Sequence, residues 1–178
     1  MELQHEEAII RAAQADAQRF GPLYDHYFST IFRFVHRRAG ERELSADLTQ
    51  QTFLKAMLAL PKYTFQGLPF RAWLYRIALN ELRMHWRKRK EVVMDLGWAE
   101  VKPLADEFGV AQQQEEMELI SSSLGRLKPE QAELIELRYF DGLSFAELGQ
   151  VLGIGEDAAK MRTHRVLAVL REYLAHTA

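Results

Sequence analysis

The sequence predicts an all-α protein: two small helical domains, resembling a helical bundle and a helix-turn-helix, joined by a linker. Three observations predict it. Apolar residues recur at helical spacing through most of the 178 residues. Breaks such as Gly21-Pro22, Pro61 and Asp141-Gly142 divide that pattern into helix-length pieces. Between them, residues 91–112 lose the periodicity and gather acids, which places a linker there. The expected division is 1–92, an acidic linker over 93–112, and 113–178.

A helix rich in Ala and Gln is predicted over 6–20, closed by Gly21-Pro22. The next, over 23–38, carries Leu23, Tyr27, Ile31, Phe34 and Val35 on one face and ends before Gly40. A third follows over about 44–60, with Ser45 or Asp47 as the group that satisfies its free N–H groups. Phe53, Met57 and Leu60 form its apolar face, and Asp47, Gln50 and Gln51 a polar shoulder. Pro61 opens a loop over 61–69 that holds Tyr63 and Phe65. Two fates are open to those rings: stacking on unpaired bases or folding back onto the core.

The helix predicted over 70–90 is two-sided. Phe70, Trp73, Leu74, Ile77 and Ala78 make an apolar side. Arg76, Asn80, Arg83, Arg87 and Lys90 stack in steps of four and three. Guanidinium forks and an amide are groups that hold phosphates and read base edges. Glu81 and His85 fall near the apolar side and interrupt the pattern.

Beyond the linker, helices are predicted over 113–124 and from Pro129 to Phe140, with Pro129 at the first helical position. Ser144 and Glu147 form a capping box ahead of a short helix over 145–152. Gly153-Ile154-Gly155 is a tight turn, and a long helix runs over about 156–174. A short capped helix, a glycine turn and a helix with a basic start describe a helix-turn-helix. Gly149 lets the two helices approach, and Leu148, Leu152 and Ile154 bury the joint. Candidate base contacts are Glu156, Asp157, Lys160, Met161, His164 and Arg165. Arg162 has two options, a phosphate or the protein's own acids.

Charge fits two DNA contacts with a non-binding connector. The net charge is −2, but it is unevenly placed. Residues 71–91 hold seven basic side chains against two acids; residues 93–120 hold seven acids against one base; residues 159–171 hold four basic side chains and no acid. The absence of Cys excludes disulfides and thiolate zinc sites. The six His have no paired ligand spacing, so no metal or other cofactor is expected. No apolar run approaches bilayer length, and a cytoplasmic location is expected.

Several segments resemble one family, the bacterial sigma factors of the extracytoplasmic-function class. Ser45-Ala-Asp-Leu-Thr-Gln-Gln-Thr-Phe53 is similar to the family's AEDLTQETF. Phe70-Arg-Ala-Trp-Leu-Tyr-Arg-Ile-Ala78 followed by Asn80 is similar to FRAWLYRIAxN. Leu143-Ser-Phe-Ala-Glu-Leu, Leu152-Gly-Ile and Lys160-Met-Arg162 resemble the C-terminal helix-turn-helix. The likeness covers about 20–91 and 119–174.

The resemblance implies a role for each part. Residues matching Asp47, Gln50 and Gln51 dock on the clamp helices of the largest subunit of core RNA polymerase. The loop over 61–69 and the next helix, through Tyr63, Phe65, Arg76, Asn80, Arg83 and Arg87, contact the −10 element of promoter DNA and help to open it. Base extrusion costs a few kcal/mol, and aromatic stacking of about 1–3 kcal/mol per base offsets it. The second domain, from about 117 to 174, reads the −35 element, and the linker threads near the polymerase's active-site and RNA-exit channels. The family often answers to an anti-sigma factor, and neither a small-molecule substrate nor membrane insertion is expected. The chain departs from the family pattern at Met84, where Asp is common, and at Ala159 and Thr163, where Val and Leu are common.

A stand-alone helix-turn-helix regulator would leave the N-terminal helices without a task. A nucleic-acid enzyme would need clustered carboxylates or a nucleophile–base pair, and the sequence offers neither. A protein-binding adaptor without DNA function is at odds with two intact basic faces.

Overall fold

In the computed structural model, residues 3–86, 98–109 and 114–177 are described. They form nine α-helices and no strand. The chain falls into two compact units, Met1–Val93 and Met94–Ala178.

The first unit begins with α1 (Leu3–Ala15). It ends at Asp16, whose side chain accepts from the Gln18 N–H and starts a 3-10 turn at Ala17–Phe20. The expected single helix over 6–20 is thus two pieces, because an Asp at that point offers the backbone a local alternative to the helix. Gly21 and Pro22 do not terminate it; they begin α2 (Gly21–Ala39), where a proline lacks only an N–H that is unpaired anyway. The five predicted core residues of α2, Leu23, Tyr27, Ile31, Phe34 and Val35, are all buried.

Helix α3 (Arg42–Ala59) starts before Ser45, so neither Ser45 nor Asp47 caps it. Ser45 is buried one turn inside, donating to the Glu41 carbonyl at 2.5 Å and meeting His36 Nδ1 at 2.9 Å. Phe53 packs among Phe20, Tyr24 and Phe28 of the preceding elements. A 3-10 turn at Leu60–Lys62 and a loop lead into α4 (Phe70–Trp86). Helices α2, α3 and α4 pack on one another around Phe34, Leu48, Ala56, Leu74, Tyr75 and Leu82.

The second unit contains a helix within the stretch where the sequence predicts a linker. Helix α5 (Trp98–Phe108) carries Val101, Leu104 and Ala105 buried and Phe108 half-buried, the spacing of one helical face. Pro103 within it, the flanking Gly109 and the acids disguised that face. The rest of the unit is α6 (Gln114–Leu124), α7 (Pro129–Ile135), a π-helical turn at Glu136–Phe140, α8 (Phe145–Leu152) and α9 (Glu156–Thr177). The predicted helix to Phe140 therefore changes pitch at Glu136. The wider turn shifts the face, so Leu137 is buried and Phe140 only half so.

Candidate nucleic-acid interface

In the second unit the local geometry follows from four residues. The Glu147 N–H donates to Ser144 Oγ at 3.2 Å, and the Ser144 N–H donates to Glu147 Oε2 at 2.8 Å, which closes the capping box. Gly153 takes a left-handed φ of 68° at the end of α8. A Cβ on Gly149 would lie 2.8 Å from the Ile154 carbonyl oxygen, so only glycine permits this approach. Leu148 fills the joint, while Leu152 and Ile154 are half-buried at its rim.

This frame turns one face of α9 outward. Glu156, Asp157, Lys160, Met161, Arg162, His164 and Arg165 are all exposed. The six candidate base contacts therefore share one accessible surface. Glu156 and Asp157 also stand in the first turn, where acids complement the helix dipole. Ala159 and Thr163, two of the departures from the family pattern, are buried. The Thr163 hydroxyl donates to the Ala159 carbonyl at 2.9 Å, so neither side chain faces outward.

In the first unit, α4 buries Phe70, Ala72, Leu74, Tyr75, Ala78, Leu79, Glu81 and Leu82. Trp73 and Ile77, expected on the buried side, are half-exposed beside the polar stripe. The buried face is centred on 70, 74, 78 and 82, so 73 and 77 fall on its shoulder. Arg76, Asn80, Arg83 and Met84 are exposed, which makes a mixed basic and apolar surface. Glu81 does not interrupt it: the carboxylate turns toward α3 and pairs with Lys55 Nζ at 2.5 Å. Arg87 and Lys90 lie outside the described residues.

The two loop aromatics differ. Tyr63 stacks inward, 4.5 Å from the Trp73 ring and 5.4 Å from that of Phe70. Burial, with a smaller contribution from the nearby Glu6 carboxylate, pushes its hydroxyl up to about 12. Its ring is thus already engaged. Phe65 is half-buried.

On α3, Asp47, Gln50 and Gln51 are exposed, and Leu54 and Leu58 extend the same face at 53% and 69% exposure. Those leucines were missed because Phe53, Met57 and Leu60 supply an apolar face of their own. The signal was their spacing of seven and eleven from Asp47, which returns each to the polar shoulder. Among the described residues no group of His, Asp and Glu could hold a metal. No helix there is long and apolar enough to cross a membrane.

Residues 23–92 match sigma-70 region 2, and residues 123–172 match sigma-70 region 4. The chain is 30% identical to the ECF RNA polymerase sigma factor ShbA of Streptomyces griseus, over 92% of this chain and 91% of that protein. It belongs to the ECF sigma factor family. The Streptomyces coelicolor sigma factor BldN is 35% identical over 94% of this chain, which spans 65% of BldN's length. Among solved structures, CnrH in complex with the cytosolic domain of CnrY is similar at a TM-score of 0.67 and 26% identity, over 97% of this chain and 99% of that one. Helices α2 to α4 fall almost wholly in the stretch matched to region 2, whereas α1 precedes it. Helices α7 to α9 fall mostly in the stretch matched to region 4, and α5 in neither.

Proposed function

We propose that this ECF sigma factor binds core RNA polymerase and directs it to promoters by recognising a −10 and a −35 element. It carries no catalysis of its own and works in the cytoplasm. The observation that carries this is the pairing of exposed basic helix faces, on α4 and on α9, in two separate compact units. A single-site operator binder needs only one.

Asp47, Gln50 and Gln51 form the docking surface for the polymerase, and Leu54 and Leu58 add apolar area to it. Exposed leucines that continue a polar face suit a protein partner. Arg76, Asn80 and Arg83, with Arg87 beyond the described residues, face the −10 element. Phe65 rather than Tyr63 is the loop ring we assign to stacking on a base, because the Tyr63 ring is already held against Trp73 and Phe70. Lys160, Met161, His164 and Arg165, with Glu156 and Asp157, face the −35 element. The division between the two DNA-contacting halves falls near residue 93. Because CnrH is seen with the cytosolic domain of CnrY, an anti-sigma factor is the regulatory partner we propose.

Promoter binding measured with and without core polymerase tests this. Specific binding should require the polymerase, and Asp47→Ala with Gln50→Ala should lower polymerase capture without loss of helix content. Tight, specific binding of a duplex operator by the chain alone would favour a stand-alone regulator instead.

A further inference from the structure

The loop that enters α4 is tied at both ends to one helix, α1, which lies outside the stretch matched to region 2. At the entry, Gln14 Nε2 donates to the Leu60 carbonyl at 3.0 Å and to the Tyr63 carbonyl at 2.7 Å. These carbonyls bracket the 3-10 turn that ends α3; the Leu60 carbonyl also accepts from the Tyr63 N–H at 2.9 Å, so Gln14 clamps a turn that the backbone already closes. At the exit, Glu6 Oε2 accepts from the Phe70 N–H at 2.9 Å. Phe70 is the first residue of α4, and Pro69 before it has no side-chain oxygen to act as a cap. A residue 64 positions away supplies the cap instead. A carboxylate at a helix N-terminus is also favoured by the dipole.

Glu6 is 1% exposed, and its other oxygen accepts from the Tyr27 hydroxyl. Its two oxygens thus join α1, α2 and α4. Ile10 and Ala13, on the face between Glu6 and Gln14, are buried and seat α1. Glu6 and Gln14 are two turns apart, about 12 Å along the helix. Helix α1 therefore works as a ruler for the span between the end of α3 and the start of α4. Tyr63 and Phe65, both half-buried, belong to the segment that those ties bracket.

We propose that α1 is a brace for the DNA-opening loop, with Glu6 and Gln14 as positioning residues that hold residues 63–70 in the conformation that accepts an unpaired −10 strand. The proposal rests on the sigma-factor reading above. A loop populating the competent shape only part of the time binds more weakly in proportion to that fraction.

The test uses the full chain bound to core polymerase and two probes, a single-stranded −10 oligonucleotide and a −35 duplex. Gln14 is only half-buried, so Gln14→Ala is the main variant. It should weaken the single-stranded probe about tenfold while leaving polymerase capture and the −35 duplex at wild-type levels. Glu6→Gln keeps an oxygen for the Phe70 N–H and should lose less than Glu6→Ala. Wild-type affinity of Gln14→Ala and Glu6→Ala for the single-stranded probe would overturn the brace. So would an equal loss on all three measurements, which marks general destabilisation. A wild-type protein that ignores the −10 strand would overturn the sigma-factor reading and the brace with it. A wild type that binds it and variants that do so equally well would overturn the brace alone.

Discussion

Helices α9 and α4 both turn basic side chains to solvent, but they reach that state by different routes. The face of α9 is fixed by its neighbours in sequence. The cap at Ser144 and Glu147, the close approach at Gly149 and the left-handed turn at Gly153 lie within thirteen residues of Glu156. The face of α4 depends on distant chain. Its first N–H is capped from Glu6, its one buried acid is matched by Lys55 of α3, and the loop before it is held from Gln14. The start of α9 is framed by local geometry, while its later turns also pack on α6 and α7. A face built from long-range bonds, as on α4, can be loosened at a distance, which suits the −10 contact proposed for it.

The α9 face is broken most strongly at Gly149. Adding a Cβ there puts it 2.8 Å from a backbone oxygen that cannot rotate away. Gly149→Ala should cost about 1–3 kcal/mol, the usual range for overpacking, and should take −35 binding with it. Urea unfolding followed by circular dichroism measures the loss; an unchanged midpoint would mean that the joint is looser than its geometry.

The α4 face should respond more gently. Arg83→Ala should lower the salt slope of promoter binding by about 0.7–0.9 if it removes one phosphate contact. Titration of polymerase-bound protein at several salt concentrations reads this directly. An unchanged slope would move Arg83 out of the DNA interface.

How much of this was legible follows the same division. The exposed set on α9 could be read because periodicity, cap and glycine turn are neighbours in sequence. The polar stripe of α4 was legible for Arg76, Asn80 and Arg83, yet Trp73 and Ile77 looked buried. Trp73 meets Tyr63 of the preceding loop, and a single helix pattern does not say where the packing face is centred. Tyr63 and Phe65 look alike in sequence. Both are half-buried, and only the folded loop shows that the Tyr63 ring is the one set against Trp73 and Phe70. Glu6 and Gln14 carry no local signal, since each acts on backbone atoms at least 46 residues away. Helix α5 was hidden by Pro103 and its acids, although Val101, Leu104, Ala105 and Phe108 have helical spacing.

The smallest expected effect concerns Tyr63. Its hydroxyl is raised from 10.0 to about 12, chiefly by burial. The unfolded chain therefore loses this proton first as pH rises. The contribution is fully present below pH 10 and is lost between pH 10 and about 12. Over that window the wild type should lose slightly more thermal stability than Tyr63→Phe. Parallel melting curves would mean that the ring is freer than its contacts with Trp73 and Phe70 imply.

The central claim is that two faces in two units read two separate promoter elements for one polymerase. Run-off transcription with core polymerase tests it most directly, using Arg83→Ala and Lys160→Ala on promoters substituted in either element. Arg83→Ala should blunt the penalty of −10 substitutions and leave that of −35 substitutions intact, and Lys160→Ala should do the reverse. Penalties that fail to segregate, or transcription that does not depend on this protein, would contradict it.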